Sequence, residues 1–195
     1  NEALAGELQL ADKLFAEIEV MADENNATEA LGQLRLRFSR LADVGKHYSR
    51  KENLIFPYLE RKGITGPPKV MWGKDDEVRA AISAALEGLE YHGQVSVSDA
   101  KGIIELLLRP AADAIKEMIF KEEEIFLPMC LDKLDAAEWY VIYQHSPQIG
   151  FCIYVPTNTW RPEGLPEAVT IEPTADRVHF PSGSLSAQEI QCILN

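Results

Sequence analysis

The sequence predicts a mainly α fold: a four-helix up-down bundle over residues 1–145, followed over 146–195 by a small β appendage and a linker helix. Three observations predict it. Four long segments repeat apolar residues every three or four positions, the period of one helical face. The breaks between them are short and hold Asn, Gly and Pro, which suits neighbouring antiparallel helices. From Ser146 onward the helical period disappears, Pro and Gly become frequent, and short runs rich in β-branched and aromatic residues take over.

The first segment, residues 2–23, carries Leu4, Leu8, Leu10, Leu14, Ile18 and Met21 on one stripe. The run ENNA breaks it, and Thr28 reads as the cap of the next helix. That helix covers about 29–62 through Leu31, Leu34, Phe38, Leu41, Val44, Tyr48, Ile55 and Leu59. Pro57 removes a backbone donor and predicts a bend there, and Gly63 ends the helix. ITGPPKVMWG reads as a loop, because Gly66, Pro67 and Pro68 interrupt a continuing helix. Asp75, Asp76 and Glu77 suit the positive end of a third helix, with Val78, Ile82, Leu86 and Leu89 inward and an end near Gly93. Ser96 or Ser98 caps the fourth, which carries Ile103, Ile104, Leu107, Ala111, Ile115, Met118 and Ile125. Pro110 and Pro128 lie inside its pattern and predict one or two kinks. A short helix, DAAEWYVIYQ, follows. In the tail GFCIYVP, AVTIE and RVHF read as short strands of a two- or three-stranded appendage lying against the bundle. PSGSLSAQEIQCILN opens a last helix with Ser184 or Ser186 as cap, and a chain that starts at Asn1 and stops inside a helix is expected to be part of a longer protein.

Composition excludes several classes. Hydrophobic residues make up 46% and charged residues 26%, ordinary for a globular chain with a sizeable core. A net charge of -12 argues against binding nucleic acid or an anionic membrane, since both require a basic face. No apolar run approaches the ~18 residues of a membrane span, and there is no secretory signal pattern. Cys130, Cys152 and Cys192 stand alone, which fits neither a disulfide framework nor a zinc ribbon and predicts a reducing, cytoplasmic home. No Ser/His/Asp or Cys/His grouping and no phosphate-binding glycine loop is present, so the sequence points away from an enzyme.

One pattern repeats. HYSRKENLIFP, residues 47–57, and MIFKEEEIFLP, residues 118–128, pair His47 with Met118, Glu52 with Glu123 and Pro57 with Pro128. Carboxylates and imidazoles from facing helices are what non-haem iron or manganese sites in bundles use. Residues five apart lie about 140° apart on an α-helix, so His47 and Glu52 do not readily share a face. Glu122, Glu123 and Glu124 are spaced about 100° apart, so at least one turns toward the bundle. A buried carboxylate needs a metal or a cationic partner, and Arg35, Arg37, Arg50 or Lys51 could supply the latter. The residues alone leave a metal half-site and a solvated charge run both open. His92, His145 and His179 read as a helix end, a second helix end and a strand residue rather than ligands.

HYSRKENLIFPYLERKGITGPPKVMWGKDDEVR followed by MIFKEEEIFLPM resembles the haemerythrin-like (HHE cation-binding) superfamily. More narrowly it is similar to a bacterial and archaeal family of unknown function in which this domain precedes a PAS sensor domain; SPQIG and PSGSLS stand in the order that leads there. The resemblance implies a haemerythrin-like bundle in a sensory or regulatory role, signalling to a C-terminal PAS-like domain of the same chain. It implies non-haem iron, one or two ions, or another divalent metal. By position the metal ligands are His47, Glu52, Asp76, Glu122 and Glu123. Lys51 stands where the superfamily motif has a glutamate, and Met118 where it has a histidine. Two further readings accompany this one: a metal-free bundle serving as a homodimerisation or interaction scaffold, and an oxygen- or peroxide-handling di-iron protein.

Overall fold

The computed structural model describes residues 1–91 and 93–164 and two short strands, 177–180 and 183–186. Its first 160 residues form one compact unit, and residues 161–195 a second.

Unit one is helical. Helix α1 spans Glu2–Glu19 and buries Leu4, Leu8, Ala11, Leu14, Phe15 and Ile18, an unbroken helical stripe, while Leu10 stays 41% exposed. Helix α2, Thr28–Leu41, buries Leu31, Leu34, Phe38 and Leu41. Thr28 is its first residue rather than its cap: Asn26 Oδ1 accepts the Thr28 N–H at 2.8 Å, and the Thr28 hydroxyl takes the Val95 N–H at 3.0 Å. After a turn at 42–43 the rod continues as α3, Val44–Arg50, a π-helical turn, Lys51–Ile55, and α4, Phe56–Arg61. Helix α5 spans Gly66–Gly88, so it begins nine residues before Asp75 and takes in the stretch expected to be a loop. The physical reason is that Gly66, Pro67 and Pro68 occupy its first turn, where backbone N–H groups have no helical partner and a fixed proline φ is already helical.

The fourth rod consists of α6, Val97–Ile103, a π turn, Ile104–Leu108, α7, Arg109–Lys121, a π turn, Glu122–Phe126, and α8, Leu127–Lys133. Ser96 is the cap, its hydroxyl accepting the Asp99 N–H at 3.1 Å. Each predicted proline bend is thereby explained. Pro57, Pro110 and Pro128 each sit two residues after a π turn, and the residue before each proline bonds five back: Phe56 to Lys51, Arg109 to Ile104, Leu127 to Glu122. A proline inside an α-helix lacks a donor and drives its ring into the carbonyl four residues earlier, here Asn53, Leu106 and Glu124. The wider turn relieves both defects and lets the rod run on.

Rod one packs on α2, α2 on α5, α5 on α7, and α7 back on α1, so the four rods close a ring with the connections 20–27, 62–65 and 89–96 short enough to keep neighbours antiparallel. One hydrophobic cluster runs through the ring from Leu4 to Ile142. Phe56 anchors its lower third, edge-on to Phe126 at 5.6 Å and tilted against Trp72 at 6.3 Å.

Helix α9, Ala136–Ile149, opens on a capping box between Asp135 and Glu138. It runs through Pro147, so His145 lies within the helix and not at its end. The segment GFCIYVP is irregular rather than a strand, and it belongs with the bundle: Arg50 donates to the Gly150 carbonyl at 2.6 Å, Asp43 accepts the Ile153 N–H at 3.1 Å, and Trp160 packs edge-on to Tyr140 and Tyr143. The unit boundary thus falls after residue 160 rather than 145. In the second unit RVHF forms β1, Arg177–Phe180, which pairs antiparallel with β2, Gly183–Ser186, where a helix was expected to open. His92, AVTIE and most of the last predicted helix, with Cys192, lie outside the described residues. No helix among the described residues is long and apolar enough to cross a membrane.

Candidate functional site

Three rods bring charge into the apolar ring. The π turn Lys51–Ile55 places adjacent residues Lys51 and Glu52 both inside, 3% and 6% exposed. Neighbours lie about 100° apart on an α-helix, so both are inside only because this rod turns a wide face to the interior. Helix α5 contributes Asp75, fully buried, and Arg79 one turn on. The π turn of the fourth rod contributes Glu122. Lys51 Nζ is the hub: it donates to Asp75 Oδ1 at 2.8 Å and to Glu122 Oε1 at 2.5 Å, and lies 4.5 Å over the Tyr48 ring. His47 Nε2 meets the other Glu122 oxygen at 2.7 Å. Arg79 joins Glu52 Oε2 at 2.8 Å and Asp76 Oδ1 at 2.8 Å.

The fields explain the protonation. Burial raises the Glu122 carboxyl, but the hydrogen bonds and charge of His47 and Lys51 outweigh it and hold it near 2. Glu122 is therefore an ionised acceptor, and His47 Nε2 must be the donor in that pair. Asp75 goes the other way, pushed up to about 7 by burial and by the neighbouring Glu52, against the pull of Lys51. Glu52 Oε1 and Asp75 Oδ2 are both buried and, among the described residues, have no donor. A proton on Asp75 supplies one, satisfying both oxygens and leaving two ionised carboxylates against the two cations Lys51 and Arg79. The Tyr48 hydroxyl, buried beside Glu122 and Asp75, is raised well above the ordinary phenol.

Of the residues expected to ligate a metal, the structure brings His47 and Glu122 together and buries Glu52 against Arg79. Asp76 and Glu123 face solvent; Asp76, its side chain 64% exposed, is a surface partner of Arg79. Their inward neighbours, Asp75 and Glu122, take the interior. Of the cations considered for Glu122, Lys51 fills the role. Arg37 and Arg40 instead hold the buried Glu7, at 3.2 and 3.0 Å, and Arg50 lies over Phe151 at 4.8 Å. Asp75, Arg79 and Tyr48 escaped the sequence reading, although Asp75 and Arg79 stand four apart, a spacing that puts them on one helical face.

The centre is reachable. His47, Lys51 and Glu122 line a cavity of about 210 Å³ closed by Phe126, Cys130 and Trp139. His47 and Arg50 also line a larger one, about 640 Å³, against the first turn of α1, Phe151 and Cys152. Ile153, between the lining residues Cys152 and Tyr154 in sequence, has φ +56, a conformation a β-branched residue resists, held by the Asp43 bond and by Tyr154 N–H to Cys152 O. Burial raises the thiols of Cys130 to about 12 and Cys152 to about 11, so neither is a ready nucleophile.

The donors do not fit the metal that the resemblance implies. Among the described residues no three His, Cys, Asp or Glu side chains are grouped to hold an ion. The space between Asp75 and Glu122 is filled by the Lys51 ammonium, and His47 spends its Nε2 proton on Glu122, leaving no lone pair there for a cation. The sequence matches the family described as Hemerythrin HHE cation binding domain over residues 9–130. A search of curated proteins finds no match.

Proposed function

The chain belongs to the haemerythrin HHE cation-binding family, and from that premise we propose that it is a sensory or regulatory module of that family, whose working part is the buried charged centre and whose output is a C-terminal PAS-like domain. The observation that carries the reading is that one hydrogen-bonded centre, reached through a cavity at His47, ties together the second, third and fourth rods through Lys51, Asp75 and Glu122. A ligand or proton that moves His47 or Glu122 changes the contacts of three rods at once. Arg50, one helical turn from His47, grips Gly150 at the end of α9, which gives the centre a mechanical link toward the chain's C-terminal part.

Hydrogen exchange on the natural full-length protein tests this. His47→Ala is expected to change amide protection in α9 and beyond residue 195. A change confined to residues near His47 would sink the signalling reading. The scaffold reading draws support from Leu127 and Leu131, one turn apart on α8 and 45% and 63% exposed. If it holds, the molar mass in solution is that of a dimer and falls to a monomer in Leu131→Glu.

A further inference from the structure

We infer that the resident cation of this centre is the chain's own Lys51 ammonium, which fills the place between Asp75 and Glu122 that a divalent ion would otherwise take. The inference stands on the geometry of the centre and is independent of any signalling role.

Lys51 is 3% exposed, and its Nζ touches both Asp75 and Glu122 while lying against the Tyr48 ring. An ammonium with three donors, two carboxylates and an aromatic face is a satisfied cation site. It answers the electrostatic need that a metal would answer in a buried acidic centre, since the carboxylates are compensated before any ion arrives. Two buried oxygens of the centre, Glu52 Oε1 and Asp75 Oδ2, have no donor from another side chain among the described residues. Removing Lys51 vacates the place between Asp75 and Glu122, beside His47, and Lys51→Glu adds a further carboxylate there, oxygen donors of the kind that suit iron, manganese or cobalt. A single lysine therefore separates a metal-free interior from a metal-binding one.

Cobalt(II) serves as probe because its visible absorption reports coordination directly. The full 195-residue chain, freed of metal by chelator, is mixed with cobalt and gel-filtered. Wild type is expected to retain well under one cobalt per chain, to show no protein-bound absorption band, and to keep its melting temperature in millimolar cobalt. Lys51→Glu, refolded with cobalt present, is expected to retain at least one ion, to absorb in the visible, and to melt several degrees higher with metal than without. His47→Ala in that background is expected to lower the affinity tenfold or more. Lys51→Arg keeps the positive charge and is expected to behave as wild type.

The inference is overturned if wild type retains an equivalent of cobalt that His47→Ala abolishes. It is equally overturned if Lys51→Arg binds cobalt, or if Lys51→Glu folds and binds none. Should Lys51→Glu not fold even with cobalt, Lys51→Ala, which only vacates the space, carries the same comparison, and its failure to bind while folded refutes the claim.

Discussion

Lys51 shows how one residue sets the character of an interior. Its ammonium, together with His47, holds Glu122 ionised and shares the Asp75 carboxylate, so removing it takes away the cation those two buried carboxylates share. Lys51→Met is expected to lose about 3–5 kcal/mol of unfolding free energy in urea; a loss below about 1 kcal/mol would mean the carboxylates find other partners. Asp75 predicts a pH dependence. Its folded value, about 7, lies above the ordinary 3.8, so the folded state holds a proton the unfolded chain has released. That contribution is whole below pH 3.8 and is lost as pH rises through 7, with a slope of up to about 1.4 kcal/mol per pH unit. Glu122 has the opposite sign: its contribution is present above 4.5 and lost as pH falls through about 2. Between pH 4.5 and 7 the wild type should therefore lose stability relative to Asp75→Asn, and parallel profiles for the two would refute the assignment. The family resemblance put His47 and Glu122 among the candidates, and three successive glutamates had to send one inward; the resemblance named Glu123 as well, which faces solvent. Asp75 rather than Asp76 shares the stripe of Val78 and Ile82, but that it meets Lys51 was not legible, since it depends on how α5 is rotated against that rod.

At the scale of elements, prolines do the unexpected work. The sequence announces three bends; the structure converts each into a π turn that keeps the rod going and turns two adjacent polar residues inward at 51–52. His47 and Glu52, five apart and awkward for a shared ligand on an α-helix, accordingly meet different partners, Glu122 and Arg79. Close packing sets a second constraint. A Cβ on Gly88 would collide with Cδ1 of Leu107 on the facing rod. Gly88→Ala gains about 1 kcal/mol of helix propensity but has to displace that side chain, and a net loss of about 1 kcal/mol is expected. In a Leu107→Ala background the same change should become stabilising, and additivity between the two would show that Leu107 is not the obstacle. The capping box at α9 predicts that Asp135→Ala costs about 1 kcal/mol, checked by thermal unfolding.

On the scale of the whole molecule, the core from Leu4 to Ile142 and the polar contacts of residues 146–160 all lie within the first unit. A chain ending at Trp160 is expected to unfold with the same urea midpoint as the full 195 residues; a shift worth more than about 1 kcal/mol would show that residues 161–195 contribute to its stability. The sequence by itself determined the number of rods, most of their buried faces, a serine cap at Ser96 or Ser98 and the repeat that carries the family likeness, because each rests on local spacing: apolar residues every three or four positions have one way to be buried. Only the tertiary structure decided what fills the centre. Lys51 lies 24 residues from Asp75 and 71 from Glu122, and their meeting depends on the π turns and on how the rods rotate against one another. Charge compensation in a low-dielectric interior is settled by distances of a few ångströms across rods, a quantity no periodicity along the chain encodes.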